Sequence, residues 1–319
     1  MLKIIAKRRW VQAISALGIN TYLPSWLKGE IFQGQVKGVC VPALNCYSCP
    51  SAVGACPIGA LQNSFGALRF NLSLAQYQFG LYVVGFLGAV GSLAGRIPCG
   101  WLCPFGLIQE LLYKIRSPKL KLPRILRSFK YLVLASTVVL LPLLVVDEFG
   151  YGETWFCKWI CPAGTLEAGI PLVLLNSGIR NQIAFMFKWK MAILLLFLVW
   201  MVLTQRVFCR TTCPLGAIFG LFNKASLFRL TVDGERCLKC EKCSRDCPVG
   251  LHPNETPNSP ECIRCLKCVN SCQYGAIDYE FLRRKPVRPA QGGSHDFSSF
   301  FPLEEGGDRI GKERRYCLK

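Results

Sequence analysis

Eight cysteines in the last third of the chain fall in one double register. Cys237, Cys240, Cys243 and Cys247 are followed by Cys262, Cys265, Cys268 and Cys272 at the same spacing. Thiolates this close wrap one corner-capped cube of iron and sulfide. In the two-cluster arrangement the last cysteine of each run reaches across to the other cluster. The register therefore groups Cys237, Cys240, Cys243 and Cys272 around one [4Fe–4S] cluster, and Cys262, Cys265, Cys268 and Cys247 around a second. Structural zinc is the competing chemistry for paired cysteines, but a doubled run of this form favours iron. Gln273 stands where the first run has Pro248, a departure that removes no ligand.

A second device recurs along the sequence. Cys-Pro-x-Gly stands at Cys56, Cys103, Cys161, Cys213 and Cys247, and Cys272 carries the form without its proline. Proline ends the ligand loop and suits the first turn of a new helix. Glycine allows the tight turn between them. Arg96, Cys99 and Cys103 are repeated in the same spacing as Arg206, Cys209 and Cys213. Each pair supplies half of a four-thiolate set, so the two pairs are expected to share one further cluster. The following helices would aim their positive ends at it, and Arg96 and Arg206 would add charge and donors near the sulfurs. Cys157 and Cys161 form a third pair, without the arginine, and Cys40, Cys46, Cys49 and Cys56 form a looser run. These six suit one cluster with two cysteines spare, two clusters with a ligand of another type, or disulfides. Glu167 sits in an apolar stretch, where it is a candidate to take a proton from a quinol. Gln62 and Gln109 hold the same place after their own Cys-Pro-x-Gly, and this shared position favours a helix-capping role for all three.

The elements that must carry these residues are apolar. Hydrophobic residues make up 51% of 319, and the mean hydropathy is +0.31. Stretches 10–27, 70–95, 131–146 and 191–205 bear no charge. A hydrocarbon core of about 30 Å needs about 20 helical residues, so the last two need snorkelling lysines such as Lys130, Lys188 and Lys190 to reach across. The expected fold is an α-helical polytopic membrane domain of about four transmembrane helices, 1–230, followed by a small α+β two-cluster ferredoxin-like domain, 231–280, and a disordered tail, 281–319. The tail contains one unassigned thiol, Cys317. The formal net charge of +19 is explained by Lys and Arg gathered on alternate loops, which assigns both termini to the cytoplasm and requires no nucleic acid. This sidedness places Cys99, Cys103, Cys209 and Cys213 inside, and Cys40, Cys46, Cys49, Cys56, Cys157 and Cys161 outside. Only two histidines occur, neither in an apolar run, which excludes a membrane haem held by a histidine pair. No small-residue cleavage site clearly ends the first apolar stretch, so no signal peptide is expected. Tyr77, Tyr82, Trp155 and Trp159 are candidates to line a quinone site, although an interfacial aromatic belt explains them equally simply.

On Cys99-Gly-Trp-Leu-Cys103-Pro, Cys209 with Cys213-Pro, and the double run that follows, the chain resembles the NapH-type membrane iron–sulfur proteins. The resemblance implies four spans, cytoplasmic termini and electron transfer between the quinone pool and a redox partner, as in a quinol dehydrogenase subunit. That partner is another subunit or a cytoplasmic or periplasmic carrier. The cofactors expected are two [4Fe–4S] clusters in the ferredoxin domain, one or two more in the membrane domain, and a quinone. The alternative roles are maturation or metal reduction for another metalloenzyme, and membrane redox sensing.

Overall fold

A computed structural model describes residues 2–73, 80–148, 150–181 and 183–282. Cys317, the tail from residue 283 and Tyr77 lie outside these residues. The described chain is mostly helical with one two-stranded sheet.

Among the described residues, two helices are long and apolar enough to cross a membrane: Arg124–Leu144 and Phe185–Leu203. At 1.5 Å per residue the 19 residues of Phe185–Leu203 reach roughly 28 Å, close to the thickness of a hydrocarbon core. The four-span expectation is reduced in two places. The stretch 10–27 is split, because the first helix is Leu2–Ile19 and a short helix, Pro24–Lys28, follows a turn. Pro24 cannot continue the first helix. That first helix also carries Arg8, which is 1% exposed and pairs with the buried Glu110. Its face toward the protein is therefore ionic. In 70–95 the apolar helix is Leu81–Ala94, whose 14 residues give only roughly 21 Å. Pro162–Leu175 is a second short apolar helix.

Each Cys-Pro-x-Gly in the membrane domain opens a helix, with proline as its first residue. The helices are Pro57–Gly66, Pro104–Leu112, Pro162–Gly164 running into the apolar helix, and Pro214–Phe222. Cys99 and Cys209 lie on matching one-turn helices, Ile97–Trp101 and Val207–Thr211. The long Phe185–Leu203 helix packs on Pro162–Gly164 and on Pro104–Leu112, so it ties the two ends of the domain together.

The second unit is built on an antiparallel pair, Phe228–Val232 with Ile277–Phe281, in the register Leu230 opposite Tyr279. The strand begins at Phe228, so the expected 230/231 boundary runs through it. The ring of Phe228 stacks on Tyr279 at 5.7 Å, which fixes these residues to the sheet. Between the strands the two cysteine runs repeat one backbone pattern. Lys239, Glu241 and Gly250 in the first run, and Arg264, Leu266 and Gly275 in the second, are all left-handed. Alternating left- and right-handed residues turn successive backbone N–H groups toward a common concavity suited to an anion.

Candidate iron–sulfur centres

The fold gathers the double run into two thiol-lined cavities. Cys237, Cys240, Cys243 and Cys272 line one, together with Leu238, Tyr274 and Ile277. Cys247, Cys262, Cys265 and Cys268 line the other, together with Val249, Leu251 and Ile263. Backbone N–H groups donate to the sulfurs at equivalent positions: Leu251 to Cys247 at 3.4 Å and Ala276 to Cys272 at 3.3 Å. Gln273 therefore leaves the turn of the second run intact. Burial raises the thiols of Cys243, Cys247 and Cys262, the last to about 12. A site that must hold thiolates against this cost needs a compensating cationic centre. Among the described residues no three acidic, histidine or cysteine groups converge on a single-ion site. Four thiolates on one zinc ion would lie about 4 Å apart, given Zn–S bonds near 2.3 Å. Each cavity is lined by four thiols, the number of ligands that a cube takes from a doubled run of this form.

At the end of the membrane domain, Cys99, Cys103, Cys209 and Cys213 come together from the two matching helix pairs. Burial, then Cys209 and Cys99, raise the Cys103 thiol to about 12. Burial, then the same two neighbours, raise Cys213 as well. Two arginines cross between the halves. Arg96 Nη2 donates to the Cys209 carbonyl at 3.1 Å, and Arg206 Nη1 donates to the Cys99 carbonyl at 2.7 Å. Both are 0% exposed. The expectation that they are donors to sulfur is thus modified: their main bonds are to the backbone beside the ligands, and the charges of both also act on the Cys99 thiol. Arg206 is neutralised by Glu110 at 2.8 Å, and Glu110 in turn pairs with Arg8. Arg96 Nε and Arg206 Nη2 are buried without a hydrogen-bond partner among the described residues. Donors left over around four thiols fit an anionic, sulfide-bearing group.

Gln109 is a residue whose role sequence reasoning mistook. Its Nε2 donates to Cys209 Sγ at 3.0 Å, and its Oε1 accepts from the Phe208 N–H at 3.1 Å. Gln62 makes the same two bonds in the outer set, to Cys157 Sγ at 3.2 Å and from Phe156 N–H at 2.9 Å. Neither glutamine caps its helix, because position six beyond the cysteine is past the first turn and points at the facing strand of chain. Glu167 does not cap either: its Oε2 accepts from the Cys46 N–H at 2.7 Å. The shared spacing was the available signal, and it marks a side chain that reaches the opposite half-site.

The ferredoxin unit docks on this end of the membrane domain through the loop that carries Cys262 and Cys265. Trp101 Nε1 donates to the Arg264 carbonyl at 3.0 Å. The Arg264 guanidinium donates to the carbonyls of Ala94, at 3.0 Å, and Asn223, at 2.6 Å. Asn223 Nδ2 donates to the Cys262 carbonyl at 2.7 Å, and Arg96 Nη1 to the Pro260 carbonyl at 2.8 Å. Lys130 and Glu261 close the contact as a buried ion pair. Of the quinone candidates, Trp155 and Trp159 stack at 5.9 Å. Tyr82 accepts from the Cys40 N–H at 3.2 Å.

A family model described as a 4Fe-4S binding domain matches residues 78–123, 131–170 and 189–232. These matches hold the pairs Cys99/Cys103, Cys157/Cys161 and Cys209/Cys213. An uncharacterized protein of Methanocaldococcus jannaschii is 31% identical over 60% of this chain and 75% of its own length. The chain belongs to the NapH-type membrane iron–sulfur family. The putative electron transport protein YccM of Escherichia coli is 25% identical over 61% of this chain and 53% of its own. The ferredoxin-type protein NapH of Haemophilus influenzae is 26% identical over 52% and 51%. The chain thus spans about half the length of these two named relatives, and 65% of another M. jannaschii protein, which is 31% identical. No solved structure matches. The comparisons make this a 4Fe–4S, ferredoxin-type electron-transport chain of a membrane-associated family.

Proposed function

We propose that the chain carries electrons between a cytoplasmic redox partner and the quinone pool or an extracytoplasmic partner, through clusters held at the ferredoxin unit and the membrane domain. One observation supports this most: the loop of Cys262 and Cys265 is clamped onto the helix of Cys99 by Trp101, and by Arg264 onto Ala94 just before that helix. Two thiol sets on adjoining elements, joined by buried bonds, suit a fixed relay. When bound, [4Fe–4S] clusters supply one-electron carriers whose potentials follow charge, hydrogen bonds and exposure. The protein's part is to hold those terms constant. Arg96 and Arg206 bring buried positive charge beside Cys99 and Cys209, Gln109 fixes the Cys209 thiol, and the left-handed turns aim N–H groups at the ferredoxin sulfurs. The four-span, both-termini-cytoplasmic arrangement remains part of this proposal, with Leu2–Ile19 and Leu81–Ala94 completing the crossing beside the two long helices.

The test uses full-length protein purified anaerobically in detergent. Iron, labile sulfide and EPR are measured after stoichiometric reduction, then after addition of a short-chain quinone. The reading expects cubane signals that the quinone reoxidises. It also expects Cys240→Ser to remove one ferredoxin signal and leave the membrane-domain signals in place. Zinc recovered instead of iron would overturn it, and so would clusters that no quinone oxidises while cupric ions do.

A further inference from the structure

The run from Cys40 to Cys56 lies outside every match to the family model, yet the fold gives two of its thiols, those of Cys46 and Cys56, a partner pair. We infer that Cys46, Cys56, Cys157 and Cys161 hold a second membrane-domain [4Fe–4S] cluster, with Gln62 as donor to one thiolate and with Cys40 and Cys49 left outside. This deepens the electron-transfer reading and rests on it.

The argument is quasi-equivalence with the Cys99/Cys103/Cys209/Cys213 set. In both sets two helices open on Pro after a cysteine: Pro104 and Pro214 there, Pro57 and Pro162 here. In both, a glutamine from one half bonds the thiol and the preceding N–H of the other half. In both, a basic side chain donates to the carbonyl of that thiol's residue. Arg96 does so to Cys209 at 3.1 Å, and Lys190 does so to Cys157 at 3.3 Å. The glycines of the two turns face the opposite thiols. A Cβ at Gly59 would lie 3.9 Å from Cys157 Sγ, and one at Gly164 would lie 3.5 Å from Cys46 Sγ. Cys56 has Cys157 and Cys161 as its charged neighbours, and Cys46 has Cys161. Cys157 in turn has Cys161 and Cys46 beside it, so Cys157 and Cys161 link all four thiols.

A buried cation supports the anionic occupant. Lys37 is 2% exposed, its Nζ has no hydrogen-bond partner among the described residues, and Cys49 and Cys46 are its charged neighbours. The ammonium lies over the Tyr47 ring, 4.8 Å from its centroid, but burying it remains costly, and a cluster with four thiolates would offset that cost. The two remaining cysteines have other company. Cys40 is paired with Ala55 in a bridge and bonded to Tyr82. Cys49 Sγ meets Asn20 Oδ1 at 3.6 Å and Ser51 Oγ at 3.5 Å. All six stand as free thiols.

The same loop sets the spacing of the two clusters. The Leu44 backbone N–H acts on the Cys103 thiol, and Cys46 lies two residues on. At no more than about 3.6 Å per residue, the loop carries its ligand only a short step from the first set. The two sets are adjoining stations, contrary to the expectation of clusters parted by the full apolar core.

Single serine variants of the six cysteines, made in the full chain and purified anaerobically, test this. Cys46→Ser, Cys56→Ser, Cys157→Ser and Cys161→Ser should each lose about one quarter of the iron and sulfide, one cluster in four with four cysteines each, and the same EPR component. Cys40→Ser and Cys49→Ser should keep both. Gln62→Leu should retain iron and shift the midpoint of that component alone, which holds even where a serine variant fails to accumulate. Loss of the same component in Cys40→Ser or Cys49→Ser overturns the ligand set. Full iron in Cys56→Ser overturns the site, as does an unshifted midpoint in Gln62→Leu. Wild-type protein without cubane iron would instead remove the electron-transfer reading itself.

Discussion

At the scale of residues, the outcome turns on side chains that touch ligands from the opposite half-site. Gln109 serves two groups at once, a thiol and an N–H, and leucine can serve neither. Gln109→Leu should keep its iron while lowering the midpoint of the first membrane-domain cluster, because loss of an N–H to sulfur favours the oxidised form. Its Phe208 N–H is left buried and unpaired, at a cost of about 1–3 kcal/mol. A redox titration followed by EPR, paired with a denaturation curve, checks both effects. Arg206→Met should be harsher, destabilising the domain by about 3–5 kcal/mol, because Glu110 then keeps only one of its two buried partners. Adding Glu110→Gln to Arg206→Met should recover part of that loss. A double-mutant cycle that shows simple additivity would mean that the pair does not act as one unit.

At the scale of elements, the decisive contact is the close approach of Ile97–Trp101 to the ferredoxin loop. A Cβ at Gly100 would fall 2.3 Å from the Ile263 carbonyl, a backbone atom that cannot swing aside. Gly100→Ala should therefore push the loop off the membrane domain at a cost of about 1–3 kcal/mol. All thiols would be retained. The expected result is unchanged iron, faster amide exchange over 259–265, and slowed electron exchange between the ferredoxin and membrane-domain signals. Unchanged exchange in that loop would refute this view of the contact. The same interface explains why Asn223, Arg264 and Trp101 are all spent on carbonyls. A loop that carries ligands has few backbone partners of its own, and buried carbonyls must be satisfied by someone.

At the scale of the whole molecule, basic residues gather near Arg124, Arg127 and Lys130, beside the docked ferredoxin unit. That end is proposed to face the cytoplasm. A reporter joined after Phe281 should be active only inside the cell. One inserted at the exposed Gly178, between Pro162–Leu175 and Phe185–Leu203, should be active only outside. Activity of both reporters on one side would reduce the membrane domain to an even crossing or a surface association. In the proposed arrangement the single crossing by Phe185–Leu203 is what separates the two reporters.

The sequence by itself determined the chemistry and much of the grouping. Doubled cysteine spacing in 237–272 constrains its backbone locally, since ligands two residues apart leave few conformations, and the fold brings the expected fours together around two cavities. The helix that follows Cys56, Cys103, Cys161 and Cys213 was equally legible, because proline has lost the N–H that a first turn leaves unpaired, whereas no helix follows Cys247-Pro248. The tertiary structure alone decided which half-sites meet. Gln62, Gln109 and Glu167 share a spacing, but spacing states a direction along a helix and not the partner across a gap. The four thiols of Cys46, Cys56, Cys157 and Cys161 are far apart in sequence, and nothing local distinguishes Cys46 from Cys40 or Cys49. Hydrophobic runs likewise overstated the spans: an uncharged stretch measures apolarity, whereas helix length also depends on where a turn such as 20–23 breaks the hydrogen-bonded ladder. Partners brought together by packing are chosen by the whole core, which no window of sequence contains.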